Sequence, residues 1–338
     1  NSAWRTPAAL ALARLHSASG DLDTALERLD EVLALDSQHL QATALRARVL
    51  RALGRPSEAD AALAAILAID PLDQWSRHLA GRSLTADAPT LLDVALEYSS
   101  TGFADDALQL LDLAADASHR TALGQVQVAP IVHYHRASIL ERIGRADDAD
   151  AARRDARSAD SRFALPSRLD DIAALEAAVS ADPGDTLAWS LLGSWYYDKK
   201  RVDDAVSAWA AALGSETDDD ADKADPDGRS AHTRALAHRN LAIAAYNSRG
   251  DADAALAHFD AARAARPDDA KLLYEHDQLL AIVGRTADDR LALLETRRDL
   301  VDARDDLTVE LAGLLTAVGR VDEAVDLLAG RRFQPWEG

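Results

Sequence analysis

Residues 189–213 read WSLLGSWYYDKKRVDDAVSAWAAAL. Trp189, Leu192, Gly193 and Tyr196 mark its first half, the polar stretch Lys200-RVDD interrupts it, and Ala205, Trp209 and Ala212 mark its second half. This layout predicts two helices joined by a tight turn. The same turn recurs along the chain as Gly20-DLDT-Ala25, Gly54-RPSE-Ala59, Gly102-FADD-Ala107, Gly144-RADD-Ala149, Gly250-DADA-Ala255 and Gly319-RVDE-Ala324. Lys200-RVDD-Ala205 replaces the glycine, and Gly284-RTAD-Asp289 replaces the alanine. Successive turns are 34, 48, 42, 56, 50, 34 and 35 residues apart, so inserts separate the middle units.

Each part of the pattern has a physical reason. Gly ends a first helix because the residue after the helix commonly takes positive φ. Asp, Ser or Thr can then cap a second helix, whose positive dipole end favours acidic groups. Ala lets the two backbones approach closely. Each hairpin leaves an apolar face that only a neighbouring hairpin covers. The composition agrees: of 338 residues 48% are hydrophobic and 73 are Ala, while only 5% are aromatic. Such a chain favours helix and builds its core from small side chains.

The chain resembles the tetratricopeptide repeat, a helix-turn-helix unit of about 34 residues. Trp189, Leu192, Gly193, Tyr196, Ala205, Trp209 and Ala212 fit that pattern at seven positions. Tyr246, Ala255, Phe259, Ala262 and Pro267 fit it again, as do Leu50, Ala59, Leu63, Ile66 and Pro71. The resemblance implies an all-α, right-handed superhelical α-solenoid of about eight helix-turn-helix repeats, some sixteen helices. First helices would line a concave face that takes up a protein or peptide. Asp170–Pro183 reads as a second helix without a first, so an irregular half repeat is expected near 160–185. The expected division is repeats over 1–160, the half repeat over 161–185, and repeats over 186–338. An acidic loop over 214–230 and a tail over 331–338 belong to the last part. Further insertions are expected at about 80–90 and 116–130.

Charge and composition narrow the function. The net charge is −20, and only 4 of the 37 basic residues are Lys. Nucleic acid is an unsuitable partner, because phosphate contacts need clustered basic side chains. Without Cys there is no thiol chemistry, disulfide or sulfur-based zinc site. Asp225, Asp227 and Gly228 suggest an EF-hand loop, but Lys223 and Arg234 occupy its end positions and the pattern fails. His133 and His135 point to different sides of a helix and cannot share an ion. His232 and His238 lie near a loop and a helix start. No phosphate loop, dinucleotide fingerprint or nucleophile elbow is present. The expectation is a non-enzymatic chain without cofactor or metal. No apolar run reaches the roughly 20 residues of a membrane span, and a cytoplasmic location is expected. Abundant Ala and Arg with scarce Lys suit a GC-rich bacterial source. The chain begins Asn1-Ser2-Ala3 without Met and reads as a piece of a longer protein.

Binding residues are expected on the groove. Trp189, Trp195, Tyr196, Tyr197 and Trp209 cluster in an otherwise aromatic-poor chain. The resemblance uses Trp189, Tyr196 and Trp209 for internal packing, which leaves Trp195 and Tyr197 outside the repeat pattern. Tyr197 should face the groove. Projection of groove positions adds Arg48, Tyr134, Ser190, Ser194, Asn240, Asn247, Tyr274 and Gln278. Asn side chains there can pair with the backbone of an extended peptide. The basic clamp by which some repeat proteins hold a C-terminal carboxylate is not reproduced, since Ser190, Ser194 and Leu241 occupy its places. The acidic chain favours a neutral or basic partner segment. The tail Arg331–Gly338 resembles a segment of large bacterial proteins whose repeats follow a sugar-related β-rich domain. That resemblance implies an alternative role, a helical docking arm of a carbohydrate-related protein.

Overall fold

The computed structural model describes residues 4–118, 127–214 and 229–333. Among these residues it contains helices and no strand. Two compact units, residues 1–178 and 179–338, divide the chain. Each of its two units is an all-α array of helical hairpins.

In unit 1, α1 (Arg5–Ala18) and α2 (Leu22–Leu35) form the first hairpin, and α3 (Leu40–Ala52) and α4 (Pro56–Ile69) the second. A short α5 (Gln74–Leu79) follows. The third hairpin is α6 (Ala88–Ser100) with α7 (Ala104–Ser118), and the fourth is α8 (Ala129–Arg142) with α9 (Ala146–Ser158). α10 (Leu169–Ala181) contains the boundary between the units. Unit 2 continues with α11 (Thr186–Asp198) and α12 (Val202–Leu213), then α13 (Arg229–Arg249) and α14 (Ala252–Ala265). α15 (Ala270–Ile282) pairs with α16 (Ala287–Glu295), a short α17 (Arg298–Ala303) intervenes, and α18 (Asp305–Ala317) with α19 (Val321–Ala329) closes the unit. Among the described residues eight hairpins account for sixteen helices, as expected. The three others, α5, α10 and α17, occupy sequence outside the hairpins.

All eight turns share one backbone geometry. Gly20, Gly54, Gly102, Gly144, Gly250, Gly284 and Gly319 have φ between +66° and +88°, and Lys200 adopts +62° in the same place. The alanine five residues later is buried in seven of the eight hairpins. Second helices start in two ways. Where Asp follows the glycine, its carboxylate accepts the amide three residues on, as Asp21 does from Thr24 and Asp251 from Ala254. Where Arg follows the glycine or Lys200, its guanidinium pairs with the acid three residues on. Arg55–Glu58, Arg145–Asp148, Arg201–Asp204 and Arg320–Glu323 all meet at 2.6–2.7 Å. The Gly102 hairpin, where Phe103 follows the glycine, and the Gly284 hairpin are the exceptions. At the Gly284 hairpin the start is different. Its Asp289 is exposed and completes a capping box with Thr286 instead of packing inward.

α10 has no first-helix partner. Residues 159–168 are irregular, with Phe163 at φ +62°. Buried polar contacts hold its start. Asp171 accepts the amides of Ser167 and Arg168 at 2.8 and 2.9 Å and meets His135 Nε2 of α8 at 2.8 Å. Arg168 donates to Asp93 of α6 at 2.6 Å. Burial opposes ionisation of Asp171, but the His135 contact and the two amides outweigh it and hold the carboxyl below its usual range. In unit 2, Arg290 of α16 donates to the fully buried Asp277 of α15 at 2.9 and 2.6 Å and to Glu310 of α18 at 3.0 Å.

Gly193 shows why a helix interior here contains glycine. A Cβ at that position would lie 2.4 Å from Cδ1 and Nε1 of Trp209. Gly193→Ala should therefore destabilise unit 2 by about 1–3 kcal/mol in urea denaturation, because overpacking forces the indole aside. The cost should shrink when Trp209→Leu is present in the same chain. At the turn, Lys200→Gly should stabilise by about 0.5–1 kcal/mol. Relief of a left-handed Lys exceeds the added unfolded-state entropy of glycine.

Candidate functional site

A concavity of unit 1 lies where the repeat spacing breaks. α3, α5, the connection 80–87, α6 and α7 enclose a cavity of about 710 Å³. Its connection is a built element. Arg77 donates to the Ser83 carbonyl at 3.0 and 2.6 Å and to the Pro71 carbonyl at 2.9 Å, while the Thr85 amide donates to Gln74 at 3.3 Å. These bonds position Arg82 and Leu84 on the cavity wall.

Arg48 enters the cavity from α3. Its Nε and Nη2 donate to Asp106 of α7 at 3.0 and 2.8 Å, and its guanidinium lies 3.9 Å over the Phe103 ring. Arg51 donates to Asp60 at 2.8 Å and to the Leu79 carbonyl. His78 Nδ1 lies 2.8 Å from the Tyr98 hydroxyl, and Tyr98 packs edge-on against Trp75 at 5.6 Å. Burial pushes the His78 imidazole below its ordinary range, despite nearby Asp106, and keeps the Tyr98 phenol protonated. Among the described residues the Arg82 guanidinium and the Asp116 carboxylate have no ion-pair partner. Among the described residues the wall thus presents an unpaired cation, Arg82, an unpaired anion, Asp116, and the apolar surface of Leu84, Leu91 and Leu113.

The first helices of unit 1 do not form an open trough at this end. Ser17 of α1 donates to the Thr101 carbonyl at 2.7 Å, with both residues buried, and Arg14 pairs with Glu97 of α6 at 2.5 Å. Gly102 abuts α1 closely enough that a Cβ would stand 3.0 Å from Ala18 Cα.

The expected groove residues are placed unevenly. Arg48 lines the cavity but is already paired. Tyr134 is only 1% exposed and corrects the expectation, because its buried ring offers no area to a partner. Ser190 is buried too, and its carbonyl accepts Trp209 Nε1 at 3.3 Å. Tyr197 is half-buried, 5.5 Å from the Trp209 ring. Trp195 packs edge-on against Tyr196 at 5.6 Å. Asn240 accepts Arg239 at 3.2 Å, beside the Arg239–Glu275 pair that joins α13 to α15. Tyr274 lies 5.9 Å from Arg304, and burial together with Asp306 and Glu310 raises its phenol pKa. Gln278 is half-buried one turn further along α15, and Asn247 is exposed near the end of α13. Tyr197, Asn240, Asn247, Tyr274 and Gln278 thus lie on the first helices of three successive hairpins.

Sequence reasoning missed Arg82, Leu84 and Asp116. The signal was the 48-residue spacing from Gly54 to Gly102, which marks chain beyond the ordinary hairpin. Most of the acidic loop 214–230, with Asp225, Asp227 and Gly228, lies outside the described residues, as does the tail from residue 334. Arg331, before that point, donates to Asp305 at 2.6 Å and to the Asp302 carbonyl at 2.8 Å.

Residues 16–80 and residues 172–222 each match a family model described as tetratricopeptide repeat. Both stretches are tetratricopeptide-like. The first covers α2 to α5 and the cavity's α3 wall. The second begins in α10 and runs through α11 and α12. Among solved structures the chain is similar to yeast Tom70 at 15% identity, covering 94% of this chain and 76% of that one with a TM-score of 0.33. It is also similar to the MamA protein at 18% identity, covering 62% and 91%, with a TM-score of 0.21. No residue role is carried over from either. Among the described residues no helix is long and apolar enough to cross a membrane, and no three acidic or histidine side chains are grouped to hold a metal ion.

Histidines wedge the helices of unit 2 apart from water. His238 of α13 and His258 of α14 bring their Nδ1 atoms within 3.1 Å, and His276 of α15 stacks on Phe259 at 5.7 Å. Burial, aided by His258 and Arg234, brings His238 down to about 4. Burial likewise brings His276 to about 4, although Asp260 opposes the shift. The unfolded chain binds these protons near pH 6.5, whereas the fold refuses them until about pH 4. The stabilising contribution is therefore complete above pH 6.5 and lost as pH falls toward 4. Urea denaturation at about pH 7 and about pH 4.5 should show unit 2 losing on the order of 1–2 kcal/mol per histidine after solvent screening. A His276→Gln variant should lose less of its stability over that interval.

Proposed function

We propose that the chain is a non-enzymatic protein- or peptide-binding scaffold, and that the unit 1 cavity receives a segment of its partner. The observation that carries this reading is a cavity of ligand-binding size, built into a helical hairpin array and lined by Arg82 and Asp116, which have no ion-pair partner among the described residues, on an apolar wall. An extended segment entering it buries side chains against Leu84, Leu91 and Leu113. Arg82 can donate to its carbonyl oxygens, and Asp116 can take an amide or a basic side chain. With a net charge of −20 the chain attracts a neutral or basic segment and repels an acidic one. Tyr197, Asn240, Asn247, Tyr274 and Gln278 form a second proposed contact surface on unit 2, with Asn247 the most accessible of them.

Peptides selected from a random displayed library on the wild-type chain test both surfaces. Their affinity for an Arg82→Glu, Leu84→Glu variant should fall at least about tenfold, the loss of a central contact. A Tyr197→Ala, Asn247→Ala variant should retain binding of those peptides that the cavity variant loses, and weaken any that bind unit 2. Failure to enrich any peptide, or equal affinity for wild type and cavity variant at unchanged helicity, would overturn the reading.

A further inference from the structure

Unit 2 contains four histidines, His232, His238, His258 and His276, spread over α13, α14 and α15. Two of them face an arginine. His232 Nδ1 accepts from Arg266 at 2.9 Å, and His276 Nδ1 accepts from Arg263 at 3.4 Å. His238 and His258 face each other instead, with their Nδ1 atoms 3.1 Å apart across the hairpin of α13 and α14. A hydrogen bond between two neutral imidazoles uses a single proton, which either Nδ1 can carry. Once that proton moves to Nε2, both Nδ1 atoms offer a lone pair to the gap between the helices.

The spacing of the pair suits a metal ion. With metal–nitrogen bonds of about 2.0–2.1 Å, two imidazole nitrogens stand roughly 2.9 Å apart at a right angle and roughly 3.3 Å apart at the tetrahedral angle. The observed separation lies between these limits. The rings are tilted by 40° with centroids 5.3 Å apart, so they do not stack face to face. A packed core places them. Ala242, one turn beyond His238, and Phe259, next to His258, belong to one buried cluster that joins α13 to α14. Ligands on packed helices keep their geometry better than ligands on loops.

Access and protonation agree with this reading. Both imidazoles are half-buried, so an ion and its waters can reach them. Ala242, Ala254 and Ala262 stand one turn away on their own helices and are too short to cover the rings. Burial lowers the pKa of both histidines, so at neutral pH they are uncharged, the state in which imidazole binds metal. Arg234, one turn before His238, opposes a cation, while the net charge of −20 on the whole chain attracts one.

We propose that His238 and His258 bind one divalent transition-metal ion, which ties α13 to α14. Imidazole donors suit Zn²⁺, Ni²⁺ and Cu²⁺. Among the described residues no carboxylate joins the pair, so Mg²⁺ and Ca²⁺, which take oxygen ligands, do not suit it. Two protein ligands leave the other positions to water, and the ion exchanges more readily than one enclosed by four protein ligands. The unfolded chain does not hold the two rings together, so the bound ion stabilises unit 2 by mass action.

Isothermal titration calorimetry of the full chain, stripped with a chelator and titrated with ZnCl₂, NiCl₂ or CuCl₂, tests the assignment. The wild type should take up one ion through this pair, with Cu²⁺ bound most tightly. His238→Gln and His258→Gln should each lower affinity at least about tenfold, because a single imidazole cannot chelate. Both positions are half-buried, so far-UV circular dichroism of the variants should match the wild type. His276→Gln should keep the wild-type affinity. ZnCl₂ should raise the thermal midpoint of the wild type and leave that of the His238→Gln, His258→Gln double variant unchanged. No saturable uptake of any of the three ions overturns the proposal. So does uptake that persists undiminished in the double variant, because the ion then sits on other side chains.

Discussion

Everything in this chain depends on how closely two helices approach just after a left-handed turn. The residue at the turn takes positive φ, the second helix begins, and five residues on an alanine sits buried against the first helix. A larger side chain there would push the helices apart and open the small-residue core. Because the contact is made of backbone and methyl groups, it works without large apolar side chains. A chain with 73 alanines and few aromatics can therefore build a long array. Arginine has a structural part in this. Five turns place it directly after the left-handed residue, and in four of them it ties the new helix start to an acid three positions on.

The functional geometry comes from departures from that repeat. Where spacing lengthens between the second and third hairpins, α5 and the 80–87 connection replace a regular junction, and the space left over becomes the cavity. Where a first helix is missing, α10 is held by polar contacts through Asp171 and Arg168 instead of by a partner helix. Where the turn alanine becomes Asp289, the helix is short and the ordering passes to Arg290, which gathers carboxylates from α15 and α18. Each irregularity replaces lost apolar packing with charged or polar contacts. Such contacts are directional, so these places have defined shapes.

Recognition of the site from sequence was partial for a physical reason. Groove positions were projected by assuming that every first helix presents the same face outward. That holds where neighbouring hairpins stack regularly, and Asn247 is indeed exposed. It fails for Tyr134, whose position on α8 is covered, and for Arg48, whose guanidinium is neutralised by Asp106, 58 residues away. Arg82 and Asp116 belong to no repeat position, and a search organised by repeat positions passes over them.

The sequence alone determined the helical class, the eight turns, their left-handed residues and the places where the repeat is interrupted. These are local matters: φ preference, capping and spacing act within a few residues, and the recurring motif records them directly. Tertiary structure alone decided which side chains are covered. It placed Ser17 against Thr101, joined His135 to Asp171 and opened the cavity beside Arg82. Those outcomes depend on distances between segments far apart in the chain, where one insertion shifts every later contact, and no local pattern encodes them.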